Sequence, residues 1–581
     1  MTKYEKLLKT WCDKLIEYQI SEIKDPYFYG GIMCPTCAMI HGRIGDAVYP
    51  LTLMYDKTGD NKYLTAAEAV IDWSEYNVKR ADGSYFNDKC SGWKGISVFS
   101  AVSIGLALFY HGNCLDENTR TKWTNIFIRI TDFIYEFFDL PTTNPNINYF
   151  VTVCDVMAFA YRLTGDEKYK QKAYEKFNFV KKFFTPAGLL FGEGHGGETP
   201  KGCKHVDIGY NVEESLPALA SFGHLMEDEE VLKFTAEKFA AHIEFMLPDG
   251  AWDNSFGTRA NKWTYWGSRT SDGAAAGLCY LVNYNPVFAE AIERNFRLME
   301  SCTHDGLLYG GLMYKEYGEE PCAHHTFCHA KALAVMVDTN FKYENPVSIP
   351  RDNVYGVKSF SDIHVNLISI GKLRATVTDN DALNYNGSAV TGGTLSVLWT
   401  KDTGILMAAV VADYMASLKE PRNMQLSRKS EVYENCALRI SDGKFESVND
   451  KEAVLNIKET KEKIVVDVSG TLRDIHYKPS AGYKFTYTFE ENALSVTAEC
   501  ESDAVLSIPI ISSYSDTVEQ TGNKITIYKP KATVTVETEN GQLLLPHGKD
   551  YRNITLVGGF MNLPIKANLR KNQPFSFKIT L

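Results

Sequence analysis

The sequence of 581 residues has no long apolar run, no basic tract and no regular spacing of cysteines. A membrane-spanning helix needs about 18 consecutive apolar residues, so none is predicted. The net charge of −11, without a local cluster of Lys and Arg, argues against nucleic-acid and membrane partners. The 13 cysteines are odd in number and follow no disulfide framework, which is typical of a reducing compartment.

Motifs of several large enzyme classes are also absent. There is no Walker A loop, Rossmann glycine fingerprint, HExxH pair or GxSxG elbow. The N-terminal segment, residues 1–15, carries charges throughout and predicts an amphipathic helix rather than a secretory signal. We therefore expect a cytoplasmic protein, or a periplasmic or secreted one if a leader has been removed.

The composition is that of a large globular protein rich in aromatic residues. Hydrophobic residues make up 44% and charged residues 23%, enough to build a substantial core. Aromatic residues reach 12%, which suits a sugar-binding cleft, although large cores also use aromatic rings.

Helical periodicity runs from residue 1 to about residue 345. Apolar residues recur at helical spacing in YLTAAEAVIDWSEY (63–76), WTNIFIRITDFIYEFF (123–138) and VLKFTAEKFAAHIEFML (231–247). The hexapeptide TGDNKY at 58–63 returns as TGDEKY at 164–169. In each copy we expect one helix to end at Gly-Asp and the next to begin at Lys-Tyr, and a third variant at 221–239 lacks the glycine. Helical hairpins joined by long loops are predicted.

Alternation with a period of two replaces this pattern after about residue 350. It covers LSVLWTKDTGILMAAVV (395–411), KIVVDVSGTL (463–472), FTYTFEENALSVTAEC (485–500), KITIYKPKATVTVET (524–538) and FSFKITL (575–581). We predict two domains, a helical one over 1–345 and a large antiparallel β-sandwich over 354–581. Ten of the 13 His and seven of the eight Trp precede residue 331, so we expect the helical domain to carry the chemistry.

The densest group of reactive side chains lies in residues 191–220. This segment opens with a glycine-rich loop and enters a helix near Asn211, and a loop of this length in a helical domain is usually functional. Alternatively, its charges are solvated on a surface loop. The group comprises Glu193, His195, Glu198, His205, Asp207, Tyr210, Glu213 and Glu214.

A second, polar and aromatic group lies in residues 249–273. Aromatic faces can stack on sugar rings, and an arginine fork can bind a carboxylate with two hydrogen bonds. In the competing interpretation, the arginines pair with nearby aspartates and the tryptophans belong to the core. The group comprises Trp252, Asp253, Arg259, Trp263, Tyr265, Trp266, Arg269 and Asp272.

Two shorter segments could add substrate contacts. Asn148 and Tyr149 stand at the end of 142–150, just before a predicted helix, where Asn could cap the helix or act in a site. Residues 82–95 are similar to a sugar-contacting loop only in composition.

Residues 30–50 and 322–329 raise the question of a metal. His41, Arg43 and Asp46 have near-helical spacing and could face a cleft or belong to the core. A structural zinc ion could bind here, although no cofactor is required and buried free cysteines are common. The candidate ligands are Cys34 and Cys37 of a CxxC pair, with Cys322, His325, Cys328 and His329 of CAHHTFCH.

A helical domain with TGD-x-KY hairpins followed by a β-sandwich resembles the (α/α)-toroid polysaccharide lyases, including heparinase II/III-like, alginate and glucuronate lyases. The similarity of architecture covers nearly the whole chain, and GGTLSVLWTKDTGILMAA (392–409) is similar to the sandwich of that superfamily. The resemblance is best over 191–220, where relatives place a catalytic Tyr near a helix start, and Tyr210 matches. Related lyases have an Asn-His pair where this chain has Asn148-Tyr149, which leaves the second catalytic group unassigned.

The resemblance implies a toroidal helical domain and β-elimination on a uronate-containing glycan. A lyase neutralises the uronate carboxylate, removes the proton α to it and expels the 4-linked oxygen. On this interpretation Tyr210 is base or acid, with His205 or His195 as its partner. Arg259 or Arg269 with Asn148 would clamp the carboxylate. Substrate contacts are assigned to Glu193, Asn211, Trp252, Trp263, Tyr265, Trp266, His41 and Arg43. In lacking a recognisable secretory signal, the sequence resembles cytoplasmic or exo-acting members of the group, among them L-rhamnose–α-1,4-glucuronate lyases.

Two other functions remain open at the level of sequence. A glycoside hydrolase of the same architecture needs two carboxylic acids, about 5–5.5 Å apart if retaining or about 6.5–9.5 Å if inverting. A non-catalytic glycan-binding protein would use the aromatic residues alone. The carboxylates available to a hydrolase are Glu193, Asp207, Glu213, Glu214 and Asp253. The uronate, the linkage, the leaving sugar and the oligomeric state are not encoded in any motif.

Overall fold

The computed structural model describes residues 1–87, 92–139, 146–382, 390–409 and 436–581. Parts of three predicted segments lie outside these ranges, namely residues 88–91 of the 82–95 loop, 142–145 of the 142–150 segment, and 410–411 at the end of a predicted strand. No helix in the described ranges has both the length and the apolar character needed to cross a bilayer.

The first half of the chain is built from helices. They are α1 (Lys3–Glu17), α2 (Val48–Thr58), α3 (Asn61–Asn77), α4 (Ser97–His111), α5 (Glu117–Phe137), α6 (Ile147–Thr164), α7 (Glu167–Val180), α8 (Ile208–Tyr210), α9 (Leu216–Leu225), α10 (Glu229–Ile243), α11 (Ala275–Leu278), α12 (Val287–Ser301), α13 (Tyr314–Tyr317) and α14 (Ala323–Asp338). Helices that are far apart in sequence pack together, as α1 does with α14. The apolar faces of the long helices form one continuous core.

The repeated hexapeptide forms the predicted turn between paired helices. Gly59 ends α2 with φ of 66° and Gly165 ends α6 with φ of 73°, a left-handed conformation that glycine adopts without steric cost. Asp60 and Asp166 then cap α3 and α7 by accepting a backbone N–H with their side chains. The third variant, between α9 and α10, has Glu227 in the left-handed region with φ of 53°. The third variant therefore keeps the turn at the corresponding position, although it lacks the glycine.

The second half consists of antiparallel strands. They are β5 (Gly356–Phe360), β6 (Val365–Ile370), β7 (Leu373–Thr378), β8 (Thr394–Thr400), β9 (Gly404–Ala408), β10 (Arg439–Ser441), β11 (Val454–Glu459), β12 (Ile464–Arg473), β13 (Pro479–Glu490), β14 (Ala493–Cys500), β15 (Ala504–Ile511), β16 (Thr517–Thr521), β17 (Lys524–Tyr528), β18 (Thr533–Glu537), β19 (Asn553–Thr555), β20 (Phe560–Leu569) and β21 (Phe575–Thr580). Two short ribbons, β1 (Trp263–Thr264) with β2 (Gly267–Ser268) and β3 (Thr303–His304) with β4 (Leu307–Leu308), lie in the helical half.

These strands form three antiparallel sheets with a common apolar core. Strands β5 to β9 pair in sequence order, an eight-stranded sheet has the order β11-β12-β13-β14-β21-β18-β17-β16, and a four-stranded sheet has the order β10-β15-β20-β19. Alternating residues of the long strands are buried together, as period-two patterning requires. The predicted fold class, helices followed by antiparallel sheets, is confirmed. Between the two halves a short turn, Pro350–Asp352, separates α14 from β5.

The loop of residues 249–273 joins the two halves. The backbone N–H of Gly558 donates to the carbonyl of Trp263 at 2.8 Å, and Arg351 donates to Asp253 at 3.0 Å. Trp263 also packs against Phe560, with ring centroids 6.1 Å apart. These contacts therefore fix the 249–273 loop, which belongs to the helical half, against the sheets.

Candidate active site

Six buried polar side chains meet in the helical half, and we call them the Tyr210 cluster. They come from the start of α6, the glycine-rich loop after α7, the α8–α9 junction and the 249–273 loop. The cluster comprises Asn148, Glu193, Tyr210, Glu214, Arg259 and Lys262, each of which is buried.

A local irregularity of the helix positions two acidic residues of this region. Asn211–Ser215 adopts a π-helical turn between α8 and α9, a feature often found at functional sites. Within the turn, Glu214 accepts a hydrogen bond from Asn148 Nδ2 at 3.0 Å. Glu213 is held instead by the backbone N–H of Ser268 at 2.6 Å. The two adjacent carboxyl groups therefore enter different environments.

The Tyr210 hydroxyl lies between two polar side chains. Lys262 Nζ donates to it at 2.7 Å, and it shares a hydrogen bond with Thr270 Oγ1 at 2.8 Å. Burial, and then the neighbouring Glu214, raise the pKa of Tyr210 well above its usual value, while Arg259 acts in the opposite direction. A phenolate at this position therefore needs the positive charge of its neighbours.

Lys262 is a buried amine with a strongly perturbed pKa. Burial, followed by the nearby Arg259, lowers its pKa to about 7. Near neutral pH this lysine is thus divided between ammonium and free amine. It can accept the phenolic proton of Tyr210 or stabilise the phenolate after the proton has left.

Glu193 and Glu214 are buried carboxyl groups that retain protons near neutral pH. Burial raises the pKa of Glu193 to about 7, against the opposing pull of Arg259, and the pKa of Glu214 to about 8. Among the described residues, Glu214 Oε2 and Asn148 Oδ1 have no hydrogen-bond partner. Because buried polar atoms are rarely left unsatisfied, these two atoms mark a place for a ligand.

Arg259 brings a positive charge to the same place. Its Nη2 donates to Asn146 Oδ1 at 2.9 Å and lies 3.4 Å from Glu193 Oε1. Its backbone N–H donates to Asp207 at 2.6 Å, which fixes the loop to the cap of α8. Arg259 is therefore placed to attract the carboxylate of a ligand.

A buried ionic network contacts Thr270, the hydrogen-bond partner of Tyr210. Arg43 pairs with Asp46 and Asp272, and its Nη1 donates to the carbonyl of Thr270 at 2.5 Å. Lys331 of α14 bonds both aspartates, at 3.1 Å to Asp46 and 2.6 Å to Asp272. Arg43 thus positions Thr270, the hydrogen-bond partner of Tyr210.

His195 and His205 lie in a neighbouring cavity between the two halves of the chain. Their rings are 5.0 Å apart, and His205 Nδ1 pairs with the carbonyl of Gly197 at 3.1 Å. The cavity of about 840 Å³ is also lined by Lys201, Lys451 and Arg473. Tyr210 has Lys262 and Thr270 as its hydrogen-bond partners, so the structure does not pair it with either histidine.

The aromatic side chains predicted to contact sugar lie in the interior of the protein. The indole N–H of Trp263 donates to the carbonyl of Trp252, and that of Trp266 to the carbonyl of Tyr309. Tyr265 donates to Asp249. The side chains of Trp252, Trp263, Tyr265 and Trp266 are all fully buried. Trp263 and Tyr265 pack against Phe560 of β20, whereas Trp266 packs against His325 and His329 of α14. The four rings therefore offer no open face on which a sugar could stack.

Arg269 and Asn211 also lie away from the Tyr210 cluster. Arg269 donates to the Tyr314 hydroxyl at 2.9 Å and to the carbonyl of Leu556 at 2.6 Å. Asn211 donates to the carbonyl of Leu190 at 2.8 Å. Of the two predicted clamp arginines, Arg259 is the one linked to Asn148, because both contact Glu193.

Tyr149 borders the cluster in an aromatic group. Its ring lies 5.1 Å from that of the partly exposed Trp93, in an edge-on arrangement. Burial raises the pKa of Tyr149 as well, with Glu214 adding to the effect.

The predicted metal ligands separate into two groups. Cys34 and Cys37 meet Cys322 and His41. His325 packs against Trp266, and His329 Nε2 lies 3.4 Å from Glu213. Cys328 contacts Asp46. The structure therefore replaces both predicted histidines with His41, which the sequence had suggested as a cleft residue.

Sequence reasoning missed Lys262 and Thr270. Both lie in the 249–273 loop, but Lys262 carried no signal, since a lysine between polar residues is usually solvated. Its burial follows from packing against Tyr210 and Arg259, which sequence does not reveal. Of the carboxylates assigned to a hydrolase, Asp207 caps α8 and Asp253 pairs with Arg351, which leaves Glu193 and Glu214 in the cluster.

A helical domain followed by antiparallel sheets, with a buried Tyr beside carboxyl, amide and arginine groups, is the arrangement that the lyase interpretation requires. The model of the ulvan lyase N-terminal domain matches residues 8–351, and that of the ulvan lyase C-terminal domain matches residues 357–581. The chain belongs to the ulvan lyase family. A broad-specificity ulvan lyase of Formosa agariphila is 35% identical over 585 aligned positions, covering 96% of this chain and 90% of that protein.

Solved structures of other lyases share the fold. The chondroitin AC lyase of Streptomyces coelicolor A3 aligns with a TM-score of 0.57 at 11% identity, over 100% of this chain and 80% of that one. Heparinase III aligns with a TM-score of 0.52 at 14% identity, over 97% of this chain and 79% of that one. The resemblance to (α/α)-toroid polysaccharide lyases is confirmed, and within that group the matching family is that of the ulvan lyases. The lyase interpretation is thereby favoured over a hydrolase or a non-catalytic protein.

Proposed function

We propose that this lyase cleaves ulvan by β-elimination at its uronate residues, with Tyr210 as the group that moves the proton. The substrate is taken from the name of the Formosa agariphila relative. The observation that carries the assignment of Tyr210 is its hydroxyl, held by Lys262 and Thr270 beside the unsatisfied oxygens of Asn148 and Glu214.

The first requirement is to neutralise the uronate carboxylate. Protonated Glu214 can donate a hydrogen bond through Oε2, because its Oε1 already accepts from Asn148. Arg259 supplies positive charge nearby. Together they stabilise the negative charge that moves into the carboxylate when the α proton leaves.

The second requirement is to move that proton. Lys262 takes the phenolic proton, and the Tyr210 phenolate then accepts the proton from the carbon α to the carboxylate. The freed electron pair forms the carbon–carbon double bond as the bond to the 4-linked oxygen breaks. Tyr210 returns a proton to that oxygen, which restores the phenolate–ammonium pair. Each positioned acid or base typically contributes about 10²–10⁴-fold.

Flanking acidic sugars fit the cavity lined by His195 and His205. Lys451 lies 3.5 Å from the centroid of the Tyr477 ring, and burial lowers its pKa to about 8. The lining holds three cations, Lys201, Lys451 and Arg473, and three carboxylates, Glu198, Asp381 and Glu452. Because Lys201 and Arg473 already pair with aspartates, Lys451 is the cation that we assign to an anionic sugar. We assign the cavity to carboxylate or other anionic groups of the glycan next to the cleaved linkage.

Incubation with a panel of ulvan, chondroitin and heparan sulfate tests the substrate. We expect the ultraviolet absorbance of an unsaturated uronate to grow with ulvan. New reducing ends without that absorbance would instead demonstrate hydrolysis and refute the proposal. The sizes of early products test the exo-acting mode: release of short products from the outset supports it, and a rapid fall in polymer length contradicts it.

A further inference from the structure

Four potential metal ligands, three from residues 34–41 and one at residue 322, meet in the helical half. We call Cys34, Cys37, His41 and Cys322 the Cys₃His cluster. Their donor atoms all lie within 4.8 Å of one another, and Cys34 Sγ is 3.6 Å from Cys322 Sγ. Cys34, His41 and Cys322 are buried, and Cys37 is half-buried.

The 3.6 Å between Cys34 Sγ and Cys322 Sγ matches an edge of a tetrahedral zinc site, and the other donor atoms lie within about 1 Å of such an edge. With Zn–S bonds of about 2.3 Å and Zn–N bonds of about 2.0 Å, neighbouring ligand atoms lie about 3.5–3.8 Å apart. A single disulfide would use two of the thiols and leave the third without a role. A cation satisfies all four ligands at once.

The backbone of residues 33–41 is shaped to present three of the ligands. Met33 and Ile40 form an antiparallel bridge, and the N–H of Cys34 donates to the carbonyl of Met39 at 3.0 Å. Ala38 closes the turn with φ of 51°, in the left-handed region. Cys34, Cys37 and His41 are thereby brought to one side of a tight hairpin.

The hairpin itself holds the segment that carries the fourth ligand. Thr36 Oγ1 donates to the carbonyl of Glu320 at 2.8 Å and to that of Pro321 at 2.6 Å, directly before Cys322. Cys322 in turn stands at the N-terminus of α14. The hairpin and the start of α14 are therefore already aligned by the protein.

His41 supplies a second, independent indication of a ligand. Its side chain is 7% exposed, and its Nε2 has no hydrogen-bond partner among the described residues. The ring packs against that of His324, with centroids 4.8 Å apart. A buried imidazole nitrogen without a partner is costly, and coordination to a metal would satisfy this ring.

We infer that the Cys₃His cluster binds one structural Zn²⁺. Three thiolates and one imidazole fill a tetrahedral shell and leave no open position for water or substrate, which separates this site from zinc catalysis. The ion would join the N-terminal hairpin to α14, the last long helix. It would thus close the helical half and fix Arg43, two residues after His41, against Thr270 and Asp46.

The full chain, purified without chelator, tests the site by its metal content. We expect about one zinc per chain, and replacement by Co²⁺ should give the visible absorption of a tetrahedral, thiolate-rich site. Cys37→Ser should lose at least about nine-tenths of the bound zinc. Cys114→Ser is the matched control, because Cys114 is also half-buried but lies outside the cluster, and it should keep its zinc.

Several results would overturn the inference. A wild-type chain without zinc after reconstitution, or a disulfide between Cys34 and Cys322 found by mass spectrometry, would do so. Equal zinc in both variants would place the metal elsewhere. If Cys37→Ser does not fold, the cobalt spectrum of the wild-type chain decides, since a site without thiolate ligands lacks the sulfur-to-metal charge-transfer band. Metal content is independent of substrate, so this test can fail while the lyase activity stands.

Discussion

Replacing Glu214 by Gln should remove the alkaline limb of the pH profile. In the wild-type enzyme Glu214 has a pKa of about 8, raised first by burial, and must be protonated to donate a hydrogen bond to the uronate. Above that pH the protonated fraction falls about tenfold for each pH unit, and kcat/KM should fall with it. A Gln side chain keeps the acceptor for Asn148 and offers a donor in place of Oε2 at every pH.

The assay is the initial rate of unsaturated-uronate formation on ulvan between pH 6 and 10. We expect Glu214→Gln to retain its activity at pH 9 relative to pH 7.5, whereas the wild-type enzyme loses about tenfold. Glu237→Gln is the control, because Glu237 of α10 is exposed and paired with Lys238, away from the Tyr210 cluster and from the cavity. An unchanged alkaline limb in Glu214→Gln would refute the role given to this carboxyl group.

Stability supplies a second measurement on the same variant. The pKa of Glu214 is higher in the folded chain, about 8, than its ordinary value of 4.5. The folded state therefore holds the proton more tightly, and stability contributed by this group is lost as pH rises from about 4.5 to about 8, at up to about 1.4 kcal/mol per unit. Thermal melts should show a smaller decline over this range for Glu214→Gln. An identical decline in both proteins would contradict a buried, protonated Glu214.

Three further substitutions test separate parts of the account. Lys262→Met should lower kcat by about 10²–10⁴-fold and abolish the acidic limb near pH 7, and a pH profile with that limb intact would exclude Lys262 as the proton acceptor. Lys451→Ala should raise KM for ulvan with little change in kcat and weaken the salt dependence of KM, whereas an unaffected KM would remove the cavity from the substrate path. Gly267→Ala places a Cβ 1.9 Å from Glu213 Oε1, so we expect a lower melting temperature, and an unchanged melting curve would contradict the tight packing of this ribbon.

The helical hairpins could be predicted because local chemistry determines them. The TGD turns combine a glycine that accepts a left-handed conformation with an aspartate that caps the next helix, and both signals are visible in sequence. The period-two strands followed from burial on one face. The order of strands within the sheets could not be predicted, because β21 pairs with β14 and β18, which are far from it in sequence.

The candidate site was predicted in part, and the reason differs from residue to residue. Tyr210 was predicted through the family resemblance and Asn148 through its position before a helix, and the structure places both in one cluster. The aromatic residues near Trp263 were assigned to sugar because sequence does not reveal that the sheets cover them. Lys262 was missed because its burial beside Tyr210 and Arg259 is set by tertiary packing, which sequence does not reveal. His41 was proposed as a cleft residue, but its partner Cys322 lies 281 positions later in the chain.

The central claim is that Tyr210 transfers the proton during β-elimination, and Tyr210→Phe tests it most directly. The variant keeps the ring and removes only the hydroxyl that contacts Lys262 and Thr270. We expect turnover of ulvan, followed by unsaturated-uronate absorbance, to fall by at least about 10²-fold while binding of the polysaccharide is retained. Turnover at the wild-type rate would contradict the claim and transfer the role of base to another residue of the cluster.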